Sequence, residues 1–284
     1  MSSSEKYLHN VSEFLEAISF LEEKYPAGPL SNHPKDRTFV FRGMADKTYK
    51  LLPGVFRTIR ADEDTAPNEH YVFCGDEIDI LKDFICEGMV YSDKYPESDV
   101  YHWLLLAQHY GAPTRLLDWS GNPLVALYFA CNTGNKTDGV VWILHKYRYH
   151  DFIRFEDVSG SPEQIVTRLL TKDNSKSNPQ YPFLFIPYYF DSRMTAQASW
   201  FMSWGMDDKA LETVLCDKFM NLDPHNDEIA FFDSTLDCLI PLYIQCSDKS
   251  EIIEELDKLD INEKTLFPGL DGVGRYTNRK HSNQ

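Results

Sequence analysis

Residues 124–130, LVALYFA, are apolar on nearly every side of a helical turn. A helix without a polar face has to be covered all round by the rest of the chain. Its start is marked by Asn122, a favoured N-cap, and by Pro123, which suits the first helical position because an N–H there would be unpaired anyway. The next apolar segment, GVVWILH (139–145), is short and unbroken, which predicts a fully buried strand. Buried helix followed by buried strand predicts an interior built from helices on a sheet.

The flanking sequence extends this into one α/β (α+β) body without repeats, a central and mostly antiparallel sheet flanked by helices. VSEFLEAISFLEEKY predicts a helix over 11–25, capped by Ser12, with Phe14, Leu15, Ile18 and Leu21 inward. RTFVFRG reads as a strand and LLPGVFR as a turn around Pro53-Gly54. The spacing of Ile78, Leu81, Ile85 and Met89 predicts a helix over 76–89, after an acidic loop at 61–70. A further helix is expected over 101–110, stopped by Gly111. SPEQIVTRLL carries a capping box, Ser161 with Gln164 three residues on, ahead of the polar loop TKDNSKSNPQ. FLFIPYYF, EIAFF and CLIPLYIQC read as strands, DKSEIIEELDKL as an amphipathic helix, and 275–284 as a flexible tail.

Composition narrows the function classes. The formal net charge of −16 argues against a non-specific nucleic-acid binder, which needs clustered Lys and Arg. There is no apolar run of bilayer length, and MSSSEKYLHN lacks the apolar core of a signal peptide, so a cytoplasmic protein without membrane association is expected. The six scattered cysteines form no pair or His/Cys cluster at zinc spacing. They read as reduced core thiols, and no metal centre is expected.

The polar residues inside the apolar segments are the candidate site. Arg42 sits between Phe41 and Gly43 on a predicted strand, and its planar fork of donors needs an anion. That anion could be an internal carboxylate, Asp118 or Glu77, or the phosphate or ribose of a nucleotide. Gly43 lets another backbone or a ligand approach closely. Arg115 and Asp118 lie just before the helix start at Asn122-Pro123, whose free N–H groups and positive potential suit an anion. Asp118 could instead belong to the cap, or bridge to either arginine. Trp119, with Tyr110 and Tyr128, offers a stacking face or simply core. Gln108 and His109 end the preceding helix as hydrogen-bond partners or as catalytic groups. Arg42, Arg115 and Asp118 are expected to converge, with Gln108 or His109 nearby, because none is buried cheaply alone.

FVFRG, LLPGVFR, AQHYGAPTRLLDWSGNPLVALYFA, RMTAQASWF and TLFPGLDG together resemble the FRG domain family, over residues 37–270 of a single domain spanning 1–284. More distantly the chain is similar to ADP-ribosyltransferases of the Arg-Ser-Glu class. That likeness implies NAD as the substrate. It places Phe41-Arg42-Gly43 in the first motif, and Thr114 and Ser120 ahead of the helix in the second. By order, Gln197-Ala198-Ser199 falls in the third, where Ser199 stands in place of the expected glutamate. Glu77 and Glu228 are the other carboxylates folding could bring in.

The expected function is therefore an NAD-dependent ADP-ribosyltransferase-like or NAD-cleaving enzyme, of the kind found in bacterial anti-phage defence or toxin systems. Its expected catalytic residues are Glu77, His109 and Gln197. Its expected ligand-binding residues are Phe41, Arg42, Gly43, Thr114, Arg115, Asp118, Trp119 and Ser120. The alternatives are a nucleotide-sensing module without turnover, which could engage a protein partner, and a nuclease or nucleic-acid modifier.

Overall fold

Period-two alternation in the apolar strands and helical spacing between them sort the chain into one sheet and its covering helices. The computed structural model describes residues 7–26, 38–57, 77–92, 94–133, 136–153, 158–173, 176–220 and 238–282. Within them the order is β1 (Tyr7–Leu8), α1 (Val11–Lys24), β2 (Phe39–Met44), α2 (Glu77–Gly88), α3 (Val100–His109), β3 (Leu116–Ser120), α4 (Pro123–Cys131) and β4 (Gly139–His145). There follow α5 (Lys146–Phe152), α6 (Pro162–Thr171), β5 (Phe183–Phe185), α7 (Ser192–Ala196), β6 (Ser199–Ser203), α8 (Leu211–Met220), β7 (Leu239–Ile244), α9 (Lys249–Lys258), α10 (Glu263–Leu266) and α11 (Leu270–Ser282). Among the described residues seven strands form one sheet in the order β1-β7-β4-β2-β3-β6-β5. Only the β1–β7 edge is parallel.

The register sets three cores. Directly paired residues share a face, so Phe39, Phe41, Ile143 and Leu242 point one way and Val40, Leu144 and Leu239 the other. On the first face, α1, α4 and α9 pack over β2, β4 and β7. On the same face, α2, α3 and α6 cover Leu116, Phe201, Phe183 and Phe185 of the other half-sheet. The opposite face carries the third core, with Leu51, Leu52, Trp119, Trp204 and residues of α5 and α8. The first face is therefore covered by two separate helical groups, with a seam between them over β3.

α4 is the buried helix that LVALYFA requires: Val125, Ala126, Leu127, Tyr128 and Ala130 are all buried. Gly43 and Gly139 make its seat. A Cβ at Gly43 would lie 1.8 Å from the Ala126 carbonyl oxygen, and one at Gly139 2.5 Å from that of Ala130.

Several local expectations need correction. Asn10, not Ser12, caps α1; its extended backbone lets Oδ1 accept from the Glu13 amide at 2.9 Å, while Ser12 already lies inside the helix. α2 ends at Gly88, which leaves Met89 exposed. FLFIPYYF is strand only over 183–185, since Pro187 brings no donor to a ladder. The tail expected to be flexible is α11. Arg275 pairs with Asp271 at 2.6 Å one turn away, and Arg279 reaches back to Glu263 at 2.7 Å and Asp257 at 3.5 Å. Of the cysteines described, Cys131 and Cys238 are core thiols, but Cys86 is exposed and Cys246 half-buried. The acidic loop, EIAFF and Glu228 lie outside the described residues.

Candidate functional site

Much of what the sequence marks as ligand-binding is used to hold the fold. Arg115 and Glu77 form a closed pair: Nε and Nη2 each reach Glu77 Oε2 at 2.7 Å, and the Arg115 amide donates to Oε1 at 2.9 Å. Arg115 Nη1 donates to the carbonyls of Trp204 and Gly205 at 3.2 and 3.3 Å. Both side chains therefore tie the start of α2 to the chain just ahead of β3. Arg115 precedes β3 and turns to the start of α2, whereas Asp118 lies within the strand. Arg42 and Asp118 do converge as expected; Arg115 does not join them.

Phe41 and Trp119 are core, 2 % and 3 % exposed, and Gly43 lies against the backbone of α4. Tyr128 is likewise core, whereas Tyr110 is exposed. Thr114 is buried, with its hydroxyl on Gln108 Oε1 while accepting from the Leu116 amide at 3.1 Å. Ser120 Oγ donates to the Gln197 carbonyl at 2.7 Å and accepts from the Asn122 amide at 2.9 Å. The start of α4 is closed too. Pro123 has no N–H, Asn122 Oδ1 takes the Leu124 amide at 3.0 Å, and Val125 is fully buried. The helix start is thus capped by its own Asn122.

What remains gathers in the seam. Asp118, Gln108, His109, Arg193, Gln197 and Ser199 line a polar recess of ≈ 40 Å³ floored by Leu105, Met194 and Phe201. α3 delivers Gln108 and His109 on its last turn, β3 delivers Asp118, and α7 with the start of β6 delivers Arg193, Gln197 and Ser199. Gln108 Nε2 donates to Asp118 Oδ2 at 2.9 Å, with its Oε1 held by Thr114, so the carboxylate is oriented from a side chain that cannot itself turn freely.

Asp118 is exposed to solvent, yet burial is the leading cause that raises its carboxyl above the ordinary aspartate value, against the opposing pull of Arg42 and Gln108. Both hold for a group at the bottom of a recess, wetted from one side and packed on the others. Behind it, β2 and β3 share a single register pair, Phe41↔Ser120. Beyond that pair the Arg42 guanidinium takes the place of a backbone donor, with Nη1 giving to the Asp118 carbonyl oxygen at 2.6 Å. Burial lowers Arg42 to about 10, so it stays charged at neutral pH; among the described residues nothing accepts from its Nε.

Burial also lowers His109 below the usual histidine value, with Asp191 pulling the other way from 3.8 Å. Arg193 packs its guanidinium over the Phe267 ring at 4.6 Å and gives Nη1 to the His109 carbonyl at 3.4 Å. Gln197 lines the recess but gives Nε2 to the Leu266 carbonyl at 3.0 Å. Of the expected catalytic residues, His109 and Gln197 line the recess and Glu77 does not. Arg193 and Asp191 are the residues that sequence reasoning missed. Their signal is present in DSRMTAQAS, an aspartate N-cap one residue before a serine and two before an arginine.

Beside the recess, and sharing His109 with it, a cavity of ≈ 460 Å³ opens between the ends of α2 and α3 and the segment ahead of α7, lined chiefly by aromatic side chains.

Residues 37–139 match the family model of the FRG domain. The chain carries an FRG domain. No curated protein and no solved structure matches it. The FRG match is shorter than the 37–270 expected from sequence. It contains β2, α2, α3, β3 and α4, hence Arg42, Gln108, His109 and Asp118, whereas Arg193, Gln197 and Ser199 lie beyond it. No helix among the described residues is long and apolar enough to cross a membrane.

Proposed function

We propose that the FRG recess cleaves the N-glycosidic bond of NAD, with Asp118 in the place of the glutamate that the third motif lacks. One observation carries the reading: a solvent-reached carboxylate stands on the floor of the seam, oriented by Gln108 and flanked by a histidine and an arginine. As the bond from ribose C1′ to the ring nitrogen breaks, its electron pair leaves with nicotinamide, and the carboxylate offsets positive charge on the ribose. Water then adds at C1′ and gives its proton to His109, which its lowered pKa keeps neutral and able to accept at pH 7. Arg193 supplies a permanent charge for the phosphate side of the substrate.

Incubation with NAD should release nicotinamide. Asp118→Asn should slow release at least about 10²-fold, the scale on which positioned charge and acid–base groups act, with the melting temperature unchanged. Absence of release by the wild-type chain, or full activity in the variant, refutes the reading. A nucleotide-sensing module is the second reading, favoured by the commitment of Gln197 to Leu266 and the burial of Ser199, which leave the third motif without a carboxylate. NAD binding by calorimetry with no nicotinamide release would select it.

A further inference from the structure

We infer that the aromatic cavity beside the recess seats a planar, positively charged ring, the pyridinium of the substrate, and lets go of the neutral ring once the bond is broken. The inference rests on the proposed cleavage of NAD and adds where the leaving group sits. Three observations carry it.

The first is size and lining. At ≈ 460 Å³ the cavity falls within the range of small-molecule sites, roughly 300–1,000 Å³, and Phe84, Tyr91, Trp103, Tyr110 and Phe190 line it. Tyr91 and Tyr110 are 90 % and 71 % exposed, so their rings are presented to solvent rather than used as core. The second is continuity. His109 lines both spaces, with its ring 4.9 Å from that of Tyr110 and 6.4 Å from that of Phe190. A ring bonded to a ribose in the recess therefore has this cavity as its neighbouring space. The third is charge. Asp191 lines the cavity at the His109 end, with Oδ1 3.8 Å from His109 Nε2, and aromatic faces attract cations. Lys94 also lines the cavity and is exposed; the acidic group is the one beside the recess. Cleavage turns the cationic ring into a neutral one, which removes both attractions and favours departure of the product.

The test uses the full chain and two probes, 1-methylnicotinamide, which is a cation, and nicotinamide, which is neutral, titrated by calorimetry. The cation should bind about threefold to tenfold tighter, the range expected of cation–aromatic contact at partly exposed sites. Replacing Tyr91 and Tyr110 together by alanine should weaken cation binding about fivefold or more at unchanged melting temperature, since both rings are exposed. Asp191→Asn keeps the α7 cap, which asparagine also provides, and should reduce the preference between the two probes. Equal binding of the two probes, no binding of either, or binding indifferent to the tyrosine variants overturns the inference. NAD cleavage that persists while the tyrosine variants bind the cation normally would overturn this assignment alone. Selective cation binding without NAD cleavage would instead overturn the proposed reaction and leave a ring-binding cavity.

Discussion

Asp118 answers to two parts of the molecule at once. Its side chain stands in the seam under Gln108, and its carbonyl is held by Arg42 where the β2–β3 ladder ends. The FRG arginine thus acts on the recess through the backbone of another strand. Its neighbour Gly43 has a simpler task, and a single methyl decides it. A Cβ would fall 1.8 Å from the Ala126 carbonyl oxygen and 2.7 Å from the Ala130 amide, both backbone atoms of α4 that cannot turn aside. Gly43→Ala should therefore destabilise the protein by about 1–3 kcal/mol or more, as overpacked cores do, read from the midpoint of urea unfolding. Had the glycine served a ligand, the variant would keep its stability and lose only binding. Arg42 and Asp118 stand out in sequence because charge is rare among apolar residues. The task of Gly43 does not, because close approach by a helix and close approach by a ligand leave the same mark.

At the scale of elements, the caps tell which side chains are committed. His145 ends β4 and caps α5, with Nδ1 accepting from the Arg148 amide at 3.2 Å. An imidazole can accept there only while that nitrogen is unprotonated. Burial, reinforced by the charge of Arg148, lowers His145 from 6.5 to about 4. A histidine whose folded pKa is depressed supports the fold fully above its unfolded value and loses that support as pH falls through the folded one. Stability should therefore decline between pH 6.5 and about 4, by about 3 kcal/mol from this one group. His145→Asn keeps an acceptor at the cap and removes the titration, so its urea midpoints should fall less steeply over the same window. An unchanged slope would show that another group governs acid unfolding. α4 and the capping box of α6 were legible from their own residues, Asn122-Pro123 and Ser161 with Gln164. α11 was not. Its mean composition is polar, and what orders it, the reach of Arg279 to Glu263 and Asp257, comes from partners sixteen and twenty-two residues earlier in the chain.

For the molecule as a whole, the seam between two helical groups on one face of the sheet carries the candidate site. The two cores lie on either side of it, and the recess and the aromatic cavity open along the edge of the second. A ligand spanning recess and aromatic cavity would bridge α2, α3, β3 and α7, elements otherwise joined across a gap. NAD at a hundred times its dissociation constant should stabilise the fold by about 2.7 kcal/mol, a rise in melting temperature of about 5 °C for a chain of this size. Asp118→Asn, folded but inactive, should retain most of that rise, because it is the reaction and not the grip that it removes. A rise of the same size with ADP-ribose but none with NAD would place the affinity on the product side only.

Local sequence was enough for whatever depends on a residue and its near neighbours. LVALYFA had to be a buried helix, GVVWILH a buried strand, and Arg42 and Asp118 had to find partners, since apolar periodicity and the cost of unpaired charge act wherever the chain happens to go. Which partners they found was settled by register. Arg115, just ahead of β3, went to Glu77, thirty-eight residues back, and the pairing of β3 with β6 brought the segment of Arg193 and Gln197 alongside Asp118. Such choices belong to the tertiary structure because hydrogen-bonded pairing between distant strands fixes faces and neighbours all at once, and no stretch of sequence carries the register of another.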